Sequence, residues 1–329
     1  MRILVTGASG YIGSVLVPRL LQKGHQVVAI DRFFFGDSLP EHKNITKHVI
    51  DARNIPQELF DGVQAVIDLV AISNDPSGEK FRDATYEINF EARVRTANIA
   101  KELGVKRYIL PSSCSIYGFQ EEGVIASENS ATNPLTTYAK ANEMAEKDIL
   151  PLADDDFIVT VIRQATVYGF SKRMRFDLAI NGMTYGAWNN KELPLMRDGT
   201  QWRPMIHVKD TSDCQIFLLD QAAEKINGQI FNVGSDQNSY QLEDLAKRVV
   251  KTIDPKIPIK WYGDKDHRSY RVSFEKISSL GFQTQYIAED GVKEIYTKLN
   301  DGSLQKTEKT ITLDWYSKIA HKTGNLLRD

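Results

Sequence analysis

Short apolar runs and helical stretches alternate along the first half of the chain. Residues 2–6 (Arg-Ile-Leu-Val-Thr) form an apolar, β-branched run, and residues 12–23 read as a helix. Strands are predicted at 26–30, 46–50, 65–69, 107–111 and 157–163, and helices at about 81–103 and 138–152. Strand alternating with helix predicts an α/β fold with a doubly wound parallel sheet, covered on both faces. Beyond residue 163 the rhythm breaks. Residues 164–204 are rich in Gly, Asn, Trp and Arg; a strand at 228–233, a helix at 241–253 and short mixed pieces follow. The expected organisation is a sheet domain over 1–163, with a later contribution from about 205–235. A smaller C-terminal lobe, from 164–204 and 236–329, is expected to close a cleft over the carboxyl ends of the strands, where open α/β sheets bind ligands.

The first strand runs directly into Gly7-Ala-Ser-Gly10-Tyr-Ile-Gly13 and then into a helix. Strand, glycine turn and helix together make a dinucleotide fingerprint of the Rossmann type, here spaced Gly-x-x-Gly-x-x-Gly. Gly7 permits the tight turn, Gly10 lets backbone approach a pyrophosphate, and Gly13 lets helix and strand pack closely. The helix N-terminus offers N–H groups and partial positive charge to the phosphates. The second strand ends at Asp31, placed to accept hydrogen bonds from the adenosine ribose and to repel a 2′-phosphate, which favours NAD over NADP. Arg32, next to it, argues the other way, but Asp31 fixes a negative charge at the ribose. Asp51 follows the third strand as a candidate for the adenine amino group or as a plain strand-end turn residue.

Composition removes several classes of function. A net charge of −2 over 329 residues shows no footprint for nucleic acid or an anionic membrane. Two cysteines, Cys114 and Cys214, make no disulfide framework. With no leader-like segment before the first strand and no long apolar run, a soluble cytoplasmic protein is expected. The six histidines are scattered, and no metal-ligand spacing appears.

The chain resembles the extended short-chain dehydrogenases/reductases of the nucleotide-sugar epimerase/dehydratase type over nearly its whole length. The resemblance rests on Gly7 to Gly13, Asp31, Ser112-Ser-Cys-Ser-Ile-Tyr-Gly118, Tyr138, Arg163-Gln-Ala-Thr-Val-Tyr-Gly169 and Trp202-Arg-Pro-Met-Ile-His-Val-Lys-Asp210. It implies that Ser9, Tyr11, Ile12, Ala52, Leu69, Val70, Ala71, Gln164 and Thr166 line NAD beside the residues above. It implies that Tyr138 exchanges the proton of a sugar hydroxyl while NAD takes or returns hydride at the same carbon. Ser113 is the implied hydroxyl donor to the reacting oxygen, where aimed donors lower the barrier as charge develops.

One position departs from the pattern. The family carries Tyr-x-x-x-Lys, and here Asn142 stands where the lysine belongs. That lysine holds the nicotinamide ribose and lowers the tyrosine's pKa; a free phenol near pKa ~10 is ionised only to about a thousandth at neutral pH. Asn142 is expected to hydrogen-bond a ribose hydroxyl without bringing charge. Lys140 is no substitute, because helical residues advance about 100° each and i+2 points away from Tyr138. The related 4,6-dehydratases carry an Asp-Glu pair where this chain has Cys114 and Ser115, so that elimination is excluded. C4 oxidation or epimerisation is the expected chemistry, with 4-keto reduction or binding without useful turnover as alternatives. Cys114 is either an acid/base thiol or a packing residue.

The resemblance also assigns Arg203 and Arg268 to the substrate pyrophosphate, whose paired oxygens suit two guanidinium forks. Asn181, Arg175 and Arg173 are candidates for the nucleotide half, or else part of a solvated basic loop. The same stretch resembles, more narrowly, C4-dehydrogenases of GDP-heptoses used for surface polysaccharides. By analogy the helices at 81–103 and 138–152 pair across a two-fold axis in a homodimer, with Val94, Ile99, Met144 and Ala145 as contact candidates.

Overall fold

The computed structural model describes residues 1–121, 123–264 and 269–323, so Arg268 lies outside the described residues. Two compact units result: Met1–Ile116 with Pro134–Gln164 and Ser212–Phe231, and Tyr117–Asn133 with Ala165–Thr211 and Asn232–Asp329.

The first unit is built on β1 (Arg2–Thr6), α1 (Gly13–Gln22), β2 (Gln26–Asp31), β3 (Ile45–Val49) and β4 (Ala65–Asp68). It continues through α2 (Asp75–Lys80), α3 (Arg82–Tyr86), α4 (Arg93–Glu102), β5 (Arg107–Ser113) and α5 (Thr137–Ile149). The sheet order is Gln229–Val233, Ile158–Gln164, β5, β4, β1, β2, β3. β1 to β5 and Ile158–Gln164 run parallel. The chain crosses back to the other side of β1 after β3, so the turns leaving β1 and β4 flank the switch point where doubly wound sheets bind ligands. Leu4, Val28, Val66, Leu110, Val159 and Val161 share one core with Ala97, Ala100 and Ala145 of α4 and α5. The strands read as continuous apolar runs because both of their faces are covered.

The single helix predicted at 81–103 is broken. Asn74 caps α2, accepting from Ser77 N at 2.8 Å, so helical structure begins earlier than expected. Between α3 and α4 the residues Glu87–Ala92 form a π-helical turn. Such turns insert one extra residue and re-aim the side chains that follow, frequently at functional sites. The helix predicted at 138–152 ends at Ile149, where Pro151 sits in a 3₁₀ turn, Leu150–Leu152. Of the proposed dimer contacts, Ile99 and Ala145 belong to the core of this unit, whereas Met144 is 37% exposed.

In the second unit Trp202–His207 pairs in parallel with Thr166–Tyr168 and antiparallel with Ser239–Gln241. Leu193–Met196 pairs with Ile259–Tyr262, and Ile125–Ala126 with Arg271–Val272. Helices Ala179–Asn190, Leu242–Ile253 and Ala288–Asn300 bury Ile180, Met183, Leu245, Val249 and Val292 together. Among the described residues no helix is long and apolar enough to cross a membrane.

Candidate cofactor and catalytic site

The turn leaving β1 is held open for a ligand by what it lacks. Gly7 has φ +59°, and a Cβ there would lie 2.9 Å from Val70 N; a Cβ on Gly13 would lie 2.4 Å from Ala8 O. Both glycines are therefore required by the backbone. Ile12 precedes α1 without a side-chain cap, and the first turn carries no acidic residue. The N-terminus of α1 is left to an anion such as a pyrophosphate. Thr6 Oγ1 accepts from Val70 N at 3.0 Å and donates to Asp68, tying the end of β1 to the end of β4, beside Leu69, Val70 and Ala71.

Asp31 ends β2 and faces this turn. Its carboxylate accepts from Ser9 N at 2.9 Å and from Phe33 N at 2.6 Å. The Ser9 hydroxyl lies 2.9 Å from the Ser38 hydroxyl and donates to Gly36 O at 3.0 Å, so the loop after β2 is stitched to the glycine turn. Arg32 points elsewhere: it pairs with Asp51 at 2.6 Å and lies over the Phe34 ring. Asp51 also takes Arg53 at 2.7 Å, and Arg53 reaches Glu87 at 2.7 Å. Burial alone would raise the Asp51 carboxyl, but the hydrogen bonds and charge of Arg53, with Arg32, outweigh it and hold the pKa below the usual value. Asp51 thus pairs with two arginines, with Glu87 as the second carboxylate of the cluster, and the next residue, Ala52, is buried.

Ser113 ends β5, one strand from β4 and two from β1, and its Oγ accepts from Ser115 N at 3.1 Å. Gln164 ends the next strand and donates to Ser112 O at 3.4 Å. Cys114 is fully buried, and its thiol donates to Arg163 O at 3.1 Å. That is the environment of a packing residue, since a reactive thiol needs an exposed, electropositive setting.

Tyr138 is the second residue of α5, and α2 braces it. The Thr136 hydroxyl accepts from Ala139 N at 3.2 Å and donates to Asp75 at 2.7 Å, while Glu79 accepts from Thr137 N at 2.7 Å. Gly78 sits against the base of Tyr138. Asn142 is buried and engaged at both ends: its amide nitrogen donates to Tyr138 O at 2.8 Å, and its amide oxygen accepts from Arg93 Nη1 at 3.0 Å. The amide oxygen of Asn142 therefore meets a guanidinium.

Arg93, Asn89, Asp75, Glu79 and Gly78 were not singled out from the sequence. Arg93 carried a readable signal: it falls on the stripe 89, 92, 93, 96, 97, 100, which is otherwise alanine apart from Asn89 and Thr96. A lone charge on a core-facing stripe is rare unless it is paired.

The second unit holds the other candidates. Arg175 is buried and forms a two-pronged pair with Asp177 at 3.1 and 2.7 Å, so a phosphate there must displace a carboxylate. Asn181 is spent on structure, accepting from Gly169 N and donating to Arg175 O, each at 2.9 Å. Arg173 is buried and donates to Thr312 Oγ1 at 3.0 Å, so these residues are not a solvated basic loop. Arg203 is partly exposed, donates to Trp202 O at 2.9 Å and lies over the Tyr270 ring. Thr166 begins the strand that pairs with Met205–His207 of its neighbour.

The glycine turn, Asp31 and the strand order together define a dinucleotide-binding α/β protein. Residues 3–234 match the NAD dependent epimerase/dehydratase family, and the chain belongs to it. It is 27% identical over 295 residues (86% of this chain and 86% of the relative) to the UDP-N-acetyl-alpha-D-glucosaminuronate decarboxylase of Bacillus cytotoxicus. It is 30% identical over 262 residues (75% and 80%) to an uncharacterised UDP-glucose epimerase of Bacillus subtilis. Among solved structures, MoeE5 in complex with UDP-glucuronic acid and NAD superposes with a TM-score of 0.80 at 25% identity, covering 92% of this chain and 100% of that one. The cofactor is NAD, and the residues around the α1 N-terminus fit it.

Proposed function

We propose that the protein oxidises or epimerises C4 of a nucleotide-activated sugar, with Tyr138 exchanging the proton of the C4 hydroxyl and Ser113 holding its oxygen. Bound NAD supplies the hydride acceptor. The observation that carries the reading is the strand order: Ser113 ends β5, the neighbour of β4, at the same carboxyl edge where Thr6, Asp31 and Asp68 end their strands, and by register it projects beyond Asp68. Neighbouring strands lie about 4.8 Å apart and each residue adds about 3.3 Å, so the extension of β5 past Asp68 carries Ser113 beyond the sheet edge, on the side where a nicotinamide seated over β1 and β4 would lie. The relatives named for UDP-sugars, and MoeE5 with UDP-glucuronic acid, support the substrate class. Cys114 and Ser115 offer no acid/base pair for eliminating a C6 hydroxyl. Arg203, partly exposed, is the residue we assign to the diphosphate. Surface-polysaccharide or deoxysugar synthesis is the corresponding pathway class.

Asn142 favours a second reading, in which the chain binds cofactor and sugar nucleotide with little turnover. A screen separates the two. Purified protein with NAD is offered a panel of nucleotide sugars, reading thermal shift, reduced-nicotinamide absorbance and product identity. Absorbance growth establishes net oxidation, and an isomerised product without it establishes epimerisation. Stabilisation with neither leaves the binder, and reduction of a 4-keto sugar by added NADH marks a reductase. A homodimer through α4 and α5 belongs to the same proposal, with Met144 rather than Ala145 at the contact; sedimentation of Met144→Glu tests it.

A further inference from the structure

Arg93 is a cation taken wholly out of water, with 1% of its surface exposed. Its Nη1 donates to Asn142 at 3.0 Å, and its Nη2 donates to the carbonyls of Asp68, at 3.0 Å, and Pro111. Those carbonyls lie at the ends of β4 and β5, the strand ends that bracket the site. The Asp68 carboxylate stands behind the guanidinium, 3.8 Å from Nε, and takes hydroxyls from Thr6 and Tyr108. The terminal nitrogens therefore face Asn142 and the strand ends, while the countercharge lies on the other side. The π turn just before Arg93 also supplies Asn89, which accepts from Ile72 N at 2.8 Å and donates to Ile72 O at 3.0 Å. One short segment thus fixes both the loop after β4 and the underside of α5.

An arginine here is a costly way to fill space. A buried ion pair is often no more stabilising than apolar residues of the same volume. Its position gives the arginine a use. Asn142 lies one helical turn from Tyr138, and Arg93 lies one hydrogen bond beyond Asn142. A lysine at position 142 would put an ammonium charge within contact distance of the Arg93 guanidinium in a dry site, so the two cations exclude each other.

We propose that Arg93 is a positioning residue that supplies, from behind Asn142, the positive charge beneath Tyr138 that the absent lysine would carry. The proposal rests on Tyr138 being the proton-exchanging group. A poorly screened unit charge roughly 8–10 Å from a phenol lowers its pKa by about one unit at an effective dielectric near 20. The Asp68 carboxylate, 3.8 Å from Nε, reduces this. The elements packed against α5 carry other charges. Asp75, Glu79 and Lys80 come from α2, Arg82 and Asp83 from α3, and Glu87 and Glu91 from the π turn. α4 adds Arg95, Lys101 and Glu102 beyond Arg93, and β5 adds Arg107. On α5 itself, Lys140 and Asp148 are exposed, the partly buried Glu143 pairs with exposed Lys147 at 2.9 Å, and Glu146 is matched by Arg163 at 2.8 Å.

The test reads the Tyr138 phenolate directly, as the near-ultraviolet titration of NAD-saturated protein minus that of Tyr138→Phe. Arg93→Met is expected to raise this pKa by about one unit, and Arg93→Met with Asn142→Lys to bring it back. Asn142→Lys alone is expected to melt below that double variant. An Arg93→Met protein that melts lower but titrates as its parent does overturns the proposal and leaves Arg93 structural. Should Arg93→Met not fold, the melting order of Asn142→Lys and the double variant decides: the double above the single supports the charge coupling, and the double at or below it overturns it. Turnover retained in Tyr138→Phe would instead remove the premise, and with it the proposed chemistry.

Discussion

Gly78 of α2 is pressed against Tyr138: a methyl group added to it would stand 3.2 Å from the Tyr138 Cβ and 3.3 Å from its backbone nitrogen. Alanine has a helix propensity better than glycine's by about 1 kcal/mol, while overpacking costs about 1–3 kcal/mol. The two nearly offset, so Gly78→Ala is expected to leave the melting temperature within a few degrees. The displaced group is the base of the proposed catalytic tyrosine, and small misplacements of reacting groups cost up to about a hundredfold. Turnover should fall at least about tenfold with NAD affinity unchanged. Wild-type turnover in a normally folded variant would show that α2 does not position Tyr138.

The roles of Tyr138 and Ser113 separate by magnitude. Proton transfer by a positioned side chain contributes about 10²–10⁴-fold, so Tyr138→Phe should lose that much in kcat while KM stays within a few-fold. Ser113→Ala removes one donor aimed at the oxygen and should lose about 10²–10³-fold. Steady-state kinetics on the sugar nucleotide found by the screen reads both. Equal losses in kcat and in NAD binding would point to disrupted structure.

NAD preference depends on Asp31 and on how Arg32 is employed. Removing Asp31 alone should weaken NAD without admitting NADP, because Arg32 is held by Asp51 at 2.6 Å. Asp31→Ser with Asp51→Asn frees Arg32, and Arg53 loses a carboxylate as well, which leaves positive charge for a 2′-phosphate. The double variant should bind NADP at least about tenfold better than Asp31→Ser does, by fluorescence titration. NADP binding by the single variant to the same degree would show that the Arg32–Asp51 pair is not the barrier.

Local rules made the first unit legible. Its strands are buried on both faces, so they read as apolar runs, and Gly7, Gly13 and Asp31 lie at turns whose geometry admits little else. What stayed hidden depends on long-range partners. Asn142 was visible as a missing lysine, but Arg93 is 49 positions away in sequence and meets it only through the packing of α4 on α5. The π turn was invisible because it leaves the helical pattern nearly intact while shifting it by one residue. Cys114 and Arg175 were ambiguous for a related reason: a thiol or guanidinium in a motif looks the same whether it faces a ligand, a carbonyl or Asp177. The bounds of the second unit were least legible, since Tyr117–Asn133 joins it from within the first half of the chain.

Acid stability of the second unit should rest in part on Glu294. Its carboxylate lies 2.7 Å from Lys209 Nζ and 3.3 Å from His207 Nε2. Burial would raise its pKa, but the hydrogen bonds and charges of His207 and Lys209 outweigh this and bring it down to about 2 from 4.5. A carboxyl depressed in the folded state contributes stability that is fully present above its unfolded pKa and is lost as pH falls toward the folded one. The window is therefore about pH 4.5 down to 2. Part of the group meets solvent, so screening reduces the effect below the full linkage value. Glu294→Gln should be less stable than the parent at pH 7, and the difference should shrink steadily through that window. Urea unfolding at a series of pH values checks it: a difference between the two proteins that is constant from neutral pH down to pH 3 would mean that the charge of Glu294 contributes nothing and only its hydrogen bonds matter.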